Sequence, residues 1–115
     1  MIFIIDDDGI MAECIARGCQ LHSAKIFHNA IEAMNALDQD FPDLIFLDIL
    51  LDGPDGFTFL NELASYTDTA NIPIVIVSSL DLSGHDLSSY GVVGILNKDN
   101  MTPQEVARYA NAYAA

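Results

Sequence analysis

The chain has 115 residues, which is enough for one hydrophobic core, and we therefore predict a single domain over residues 1–115. Four Lys and Arg stand against seventeen Asp and Glu, and the net charge of −13 argues against binding to nucleic acid or to an anionic membrane surface. Because 51% of the residues are hydrophobic, the composition also excludes an acidic disordered tail.

Five short runs of β-branched, aromatic and other apolar residues predict β-strands. In chain order they are Ile2–Ile5, Ala24–Phe27, Leu44–Leu47, Ile74–Val77 and Gly94–Leu96. The runs are apolar rather than alternating, which is typical of parallel strands that are covered on both faces.

Helical periodicity between the strands predicts about five helices. The first runs from about Ile10 to Ala16 before Gly18, and the second has Asn29 as its N-cap. The third follows Gly56, and a small or irregular fourth lies between Gly84 and Tyr90. The last begins with a capping box of Thr102, Pro103 and Glu105. Alternating strands and helices predict an α/β fold with an open parallel sheet. In such sheets ligands bind at the carboxyl ends of the strands.

Polar residues with complementary chemistry stand at the carboxyl ends of these strands. Asp6, Asp7 and Asp8 follow the first strand, Asp48 ends the third, Ser78 ends the fourth, and Lys98 follows the fifth. Each alone is typical of a helix cap, a loop or a solvated charge. Together, carboxylates suit a hard cation such as Mg²⁺, an aspartate can accept a phosphoryl group, and a hydroxyl and an ammonium can bind its oxygens. The set therefore predicts phosphoryl transfer.

Five segments carry a family resemblance along essentially the whole chain. They are residues 2–8, 43–48, 53–56, 72–78 and 91–98. In these segments the chain resembles the response regulator receiver domain of two-component signalling. The resemblance implies a flavodoxin-like, doubly wound, five-stranded parallel sheet of order 2-1-3-4-5.

The resemblance also implies a role for each residue of the site and a set of partners. Asp48 would be the phosphoacceptor, Ser78 and Lys98 would bind the phosphoryl group, and Mg²⁺ would be held by Asp6, Asp7, Asp48 and the backbone carbonyl of Leu50. The donor would be a sensor histidine kinase or a histidine phosphotransfer protein, and the output would pass to an effector protein. A homodimer would form through the fourth helix, the fifth strand and the last helix. The chain would catalyse at most its own phosphotransfer and dephosphorylation.

Three departures from the family pattern favour one alternative, a receiver-like interaction module that works without phosphorylation. Asp52 stands where the family commonly has Pro four residues after the phosphoacceptor. Asp99 replaces the Pro that usually follows the Lys, and Ile95 replaces the aromatic residue three positions before it. The intact set of three aspartates, a serine and a lysine opposes this alternative.

A second alternative is a phosphohydrolase of the haloacid dehalogenase type. Residues 6–10, Asp-Asp-Asp-Gly-Ile, are similar to the Asp-x-Asp-Gly-Thr/Val motif of that class, with Asp6 as the nucleophile and Asp8 as the general acid. Ile10 departs from the motif, no acidic pair follows the fourth strand, and the chain is short for that fold.

Other potential binding groups indicate no further site. Cys14 and Cys19 are expected to be reduced, semi-buried thiols, and the three histidines do not stand at zinc-ligand spacing with them. Tyr109 and Tyr113 are expected to contact the core. No apolar run approaches the about 18 residues of a membrane span, and no basic leader precedes the first strand, so a cytoplasmic location is expected.

Overall fold

A computed structural model describes residues 1–49, 56–79 and 87–114. The strands are β1 (Ile2–Ile5), β2 (Ala24–Phe27), β3 (Leu44–Asp48), β4 (Ile74–Ser78) and β5 (Val92–Asn97). The α-helices are α1 (Gly9–Gly18), α2 (Ala30–Ala36), α3 (Gly56–Ala64) and α4 (Pro103–Tyr113). Residues Ser88–Tyr90 form one 3₁₀ turn.

The five strands form one parallel sheet in the order β2-β1-β3-β4-β5, which confirms the predicted topology. The three central strands are buried along their whole length, as continuous apolar runs predict. The edge strands β2 and β5 are partly exposed, so the prediction that all five are covered on both faces is wrong for them. An edge strand has a neighbour on one side only, and less of the surrounding structure covers it.

Neighbouring residues of each strand point to opposite faces of the sheet and enter two separate cores. Phe3 and Ile5 of β1 belong to the core that α2 and α3 cover. Ile2 and Ile4 belong to the core that α1 and α4 cover, where they meet Val106. Among the described elements, two helices therefore cover each face of the sheet.

Side-chain caps fix three of the helix starts. The Asp8 carboxylate accepts hydrogen bonds from the N–H groups of Ile10 and Met11, at 3.0 and 3.2 Å, so α1 begins one residue earlier than predicted. The predicted N-cap Asn29 accepts from the N–H of Glu32 at 2.9 Å. The predicted capping box of α4 is confirmed, with both of its reciprocal hydrogen bonds present.

The structure corrects the helix count. Of the predicted fourth helix, residues 84–86 lie outside the described residues, and the rest is a 3₁₀ turn in which Tyr90 N–H donates to the Leu87 carbonyl at 3.0 Å. The described part of the chain therefore contains four α-helices rather than about five.

Three side chains differ from their predicted burial. Cys14 is exposed and Cys19 is fully buried, so neither is semi-buried. Burial raises the pKa of the Cys19 thiol to about 11, which keeps it protonated at neutral pH. Tyr113 is exposed at the end of α4, whereas Tyr109 is half-buried against the core as predicted. Among the described helices none is long and apolar enough to cross a membrane, and the cytoplasmic location stays a prediction.

Gly56 is the position where the fold tolerates a side chain least. A Cβ atom there would lie 2.5 Å from the Ile49 Cα and 2.8 Å from the Asp48 carbonyl oxygen, both of which are backbone atoms. We expect Gly56→Ala to lower the free energy of unfolding by about 2 kcal/mol in urea titrations. The matched control is Gly9→Ala, where a Cβ meets nothing within 4 Å and Ala is the better helix former, so no loss is expected. Equal stability of the two variants would contradict the close approach.

Candidate functional site

The parallel sheet brings the predicted site residues to one edge. Asp6 follows β1, Asp48 ends β3 on the adjacent strand, and Ser78 ends β4, one residue beyond Val77, the register partner of Asp48. Lys98 follows β5, and its backbone N–H donates to the Ser78 carbonyl at 3.0 Å. This hydrogen bond holds the Lys98 backbone, and with it the base of the lysine side chain, beside the end of β4.

Lys98 joins the two buried carboxylates of this edge. Its Nζ donates to Asp48 Oδ2 at 3.0 Å and lies 3.2 Å from Asp6 Oδ2. Both aspartates are almost completely buried, and the lysine is mostly buried. One ammonium thus faces two carboxylates, and the centre keeps an excess of negative charge.

Asp6, Asp7 and Asp48 form an acidic cluster that could hold a metal ion. Each can offer one carboxylate oxygen such that the three oxygens lie within 4.8 Å of one another. Asp7 is exposed, whereas the other two are buried. Oxygen-only donors of this kind suit a hard divalent cation, and Mg²⁺ takes one or two carboxylates together with water.

One carboxylate oxygen of Asp6 is incompletely satisfied. Asp6 Oδ1 accepts a hydrogen bond from the Asp8 N–H at 2.9 Å. Lys98 Nζ also donates to Asp6 Oδ1, at 3.5 Å, whereas Asp6 Oδ2 is buried and has no hydrogen-bond partner within the described part of the chain, although the Lys98 ammonium lies 3.2 Å from it. A buried acceptor of this kind is costly unless a further donor or a cation reaches it. The acidic cluster therefore fits a bound cation in addition to Lys98.

Burial and the charges of neighbouring groups together shift the pKa values of Asp6 and Lys98. Burial raises the pKa of Asp6, with a further contribution from the charge of Asp48, although the Asp8 N–H and Lys98 act in the opposite direction. Burial by itself would lower the pKa of Lys98, but its hydrogen bond to Asp48 and the charges of both aspartates outweigh burial and raise the pKa. Lys98 therefore stays charged at neutral pH, while the ionised form of Asp6 is disfavoured.

We expect Asp6→Asn to stabilise the metal-free protein at neutral pH. Because the folded-state pKa of Asp6 is raised, its stabilising contribution is complete below the unfolded-state pKa and is lost as the pH rises through the folded-state pKa. The neutral amide avoids this loss. A gain of about 1 kcal/mol would raise the Tm in EDTA by roughly 4 °C.

The control for this prediction is Asp68→Asn, which removes one exposed carboxylate elsewhere and should leave the Tm unchanged. Added Mg²⁺ should raise the Tm of the wild type more than that of Asp6→Asn. A lower Tm for Asp6→Asn in EDTA would show that its carboxylate stabilises the fold and would contradict the assignment.

Several residues singled out in the sequence do not take part in the described site. Leu50 and Asp52 lie outside the described residues. Asp99 is exposed, and its N–H donates to the Asn97 side chain. The side chain of Asp8, the general acid of the phosphohydrolase alternative, is occupied as the N-cap of α1.

Sequence analysis missed one neighbour of the site. His28 follows β2, and its Nδ1 lies 3.2 Å from the backbone carbonyl oxygen of Asp6. The position of His28 in the sequence could have indicated this contact, because His28 directly follows β2 and β2 is the strand beside β1. Its contact is with a backbone atom, so His28 supports the position of Asp6 rather than its charge.

The family model of the response regulator receiver domain matches residues 2–110. The chain belongs to the response regulator receiver family. This membership agrees with the resemblance predicted from the sequence and fits a role in two-component signalling. It gives no support to the phosphohydrolase alternative.

Named relatives are similar to this receiver domain over most of its length. Response regulator PleD of Caulobacter vibrioides is 32% identical in an alignment of 92 residues that covers 72% of this chain and 19% of PleD. Protein-glutamate methylesterase/protein-glutamine glutaminase 1 of Pseudomonas savastanoi pv. phaseolicola is 31% identical in an alignment of 105 residues that covers 84% of this chain and 28% of that protein. The chain therefore spans less than a third of the length of either relative.

A solved structure confirms the fold. The receiver domain of NtrX from Brucella abortus superimposes with a TM-score of 0.83 at 23% identity, over 97% of this chain and 96% of that one. Receiver domains are in general signalling modules rather than enzymes. They bind Mg²⁺ through acidic residues and interact with histidine kinases or phosphotransfer proteins and with effectors. The acidic cluster of this receiver domain has the donor set that such binding requires.

Proposed function

We propose that this receiver domain accepts a phosphoryl group on Asp48 from a phosphohistidine donor, with the help of Mg²⁺, and signals through a partner protein. The observation that carries the proposal is the pairing of Asp48 with Lys98 beside the buried, incompletely satisfied carboxylate of Asp6. A potential nucleophile (Asp48), an ammonium group (Lys98) and a carboxylate that could bind a metal ion (Asp6) thus lie together at the carboxyl edge of the sheet.

Asp48 is the residue best placed to act as the nucleophile. In the transfer, a bond forms between an Asp48 carboxylate oxygen and phosphorus while the bond from phosphorus to the imidazole nitrogen of the donor breaks, and the imidazole is the leaving group. Lys98 already donates to Asp48, so its ammonium is in place to stabilise the charge on the transferring oxygens. Ser78, at the end of the next strand, would donate its hydroxyl proton to another phosphoryl oxygen.

Asp6, Asp7 and Asp48 would hold the Mg²⁺ ion, with the Leu50 carbonyl as the backbone ligand implied by the family. When bound, the ion neutralises carboxylate charge and binds an oxygen of the phosphoryl group. Asp6 would contribute its buried Oδ2, which has no hydrogen-bond partner among the described residues, and Asp7 would contribute an exposed carboxylate.

The function is tested by incubating the protein with acetyl phosphate, a small phosphodonor, and measuring intact mass. We expect the mass to increase by one phosphoryl group in millimolar Mg²⁺ and to stay unchanged in EDTA. The interaction-module alternative expects no increase in either condition and no response of the protein to a Mg²⁺ titration. A mass increase that is equal in EDTA would contradict the role of the acidic cluster.

The partners follow from the same proposal. The donor is a sensor histidine kinase or a histidine phosphotransfer protein, and the output passes to an effector protein. Phosphorylation adds charge and acceptor oxygens beside Ser78 and Lys98, and these two residues lie where β4 and β5 end. We therefore propose that the signal leaves through the surface next to β5 and α4, which is also the surface of the expected homodimer.

A further inference from the structure

A groove runs between α2 and α3, on the face of the sheet opposite to α1 and α4. Its first part has a volume of about 180 Å³ and begins at Ile31. Its second part has a volume of about 370 Å³ and extends to Tyr66 and Thr69. Met34 and Glu62 line both parts, so the two parts form one continuous depression, which we call the α2–α3 groove.

Apolar side chains stand at both ends and in the middle of the α2–α3 groove. Ile31 is 58% exposed at one end and Tyr66 is 56% exposed at the other. Met34 lies between them and is half-buried. The first part, at about 180 Å³, has room for a large apolar side chain, since a cavity of about 150 Å³ holds benzene. The first part is therefore mainly apolar, whereas Asn35, Asp38, Asp68 and Thr69 make the lining of the second part mixed, with the exposed Tyr66 as its apolar anchor point.

The rim of the α2–α3 groove is negatively charged. Asp38, Glu62 and Asp68 line it and are exposed, and no lining residue is basic. The four Lys and Arg of the chain all belong to the described residues and lie away from the groove. Lys25 pairs with Asp40, and Lys98 pairs with Asp6 and Asp48. Arg17 is on α1, and Arg108 is on α4. The rim carboxylates therefore have no lysine or arginine of this chain as a counter-charge.

We propose that the α2–α3 groove docks a basic amphipathic helix of a partner protein. A helix with apolar residues along one stripe would place them over Ile31, Met34 and Tyr66, in the manner of a helix in a groove. Lys and Arg on both sides of that stripe would meet the rim carboxylates. A second copy of the chain carries the same charge of −13 and is the less suitable occupant.

This docking surface is separate from the phosphorylation site. None of the lining residues belongs to the acidic cluster or pairs with Lys98. The groove also lies on the face of the sheet away from α4. Loss of docking would therefore leave the labelling of Asp48 by acetyl phosphate intact, and the two proposals fail independently.

The test uses a synthetic peptide of about 18 residues, roughly five turns of helix, with Leu on one stripe and Lys on both flanks. Binding is followed through the amide resonances of the ¹⁵N-labelled protein, and the Kd by calorimetry. We expect shifts concentrated in α2 and α3. We also expect a Kd about tenfold weaker for Ile31→Ala and about threefold weaker for Glu62→Gln.

Matched controls stand on α1. Ile10→Ala and Glu13→Gln remove an apolar side chain that is more exposed than Ile31 (80% against 58%) and an exposed carboxylate, and both should leave the Kd unchanged. A peptide with Glu in place of Lys should not bind. Shifts spread over the whole acidic surface, equal losses in the α1 variants, or no binding would each overturn the proposal. Self-association of the protein that Ile31→Ala abolishes would assign the groove to a second copy and overturn it as well.

Discussion

Asp48→Asn is expected to abolish the mass increase that acetyl phosphate and Mg²⁺ produce in the wild type. An amide nitrogen or oxygen is a poor nucleophile towards phosphorus, and Asn has almost the same shape as Asp, so the fold is kept. Asp48 is buried at the end of β3 and is hydrogen-bonded to Lys98 at 3.0 Å. A complete loss is therefore the expected result, measured by intact mass and by peptide mapping of the labelled wild type.

Two further variants make this experiment discriminating. Asp43→Asn makes the same substitution just before β3, at the opposite edge of the sheet, and should keep full labelling. Asp6→Asn removes a metal-binding carboxylate and should slow labelling without moving it from Asp48. If label survived in Asp48→Asn and disappeared in Asp6→Asn, Asp6 would be the nucleophile and the phosphohydrolase alternative would be right.

The fold could be predicted largely from the sequence because its central strands are buried on both faces. Such strands require continuous apolar runs, and β1 and β3 were therefore found with correct starts. The α4 start was equally clear, since a capping box is a local pattern that needs no tertiary information. The edge strand β2 was also predicted with its exact bounds, but in the edge strand β5 every second residue is exposed, which weakens the apolar signal. The predicted β5 was accordingly three residues too short.

The composition of the candidate site was predictable, whereas its internal pairing was not. Parallel strands bring their carboxyl ends together, so the order of Asp6, Asp48 and Lys98 along the chain was enough to place them at one edge. Which oxygen each ammonium proton reaches depends on side-chain rotamers and on burial. The incompletely satisfied Oδ2 of Asp6 is a result of that geometry, and the sequence holds no sign of it.

Lys98→Ala is expected to be the most destabilising substitution at the site. The Lys98 side chain is only 17% exposed and faces two carboxylates that are almost fully buried. Its removal takes away the ammonium that both carboxylates face, and breaking a buried pair in this way costs about 3 kcal/mol. Urea unfolding in EDTA at neutral pH measures the loss. The control is Lys25→Ala, whose exposed pair with Asp40 contributes at most about 1 kcal/mol.

Two additions show whether this loss comes from uncompensated charge. In the double variant Lys98→Ala/Asp6→Asn a neutral amide replaces one of the two carboxylates. Much of the stability that Lys98→Ala loses should therefore return, even though both partners of the Lys98–Asp6 pair have been removed. Mg²⁺ should stabilise Lys98→Ala more than the wild type, because a cation at the acidic cluster then offsets charge that the ammonium no longer balances. The effects of the two single substitutions could instead simply add in the double variant, with Lys98→Ala responding to Mg²⁺ as the wild type does. That result would mean that Lys98 stabilises the fold by packing rather than by its charge.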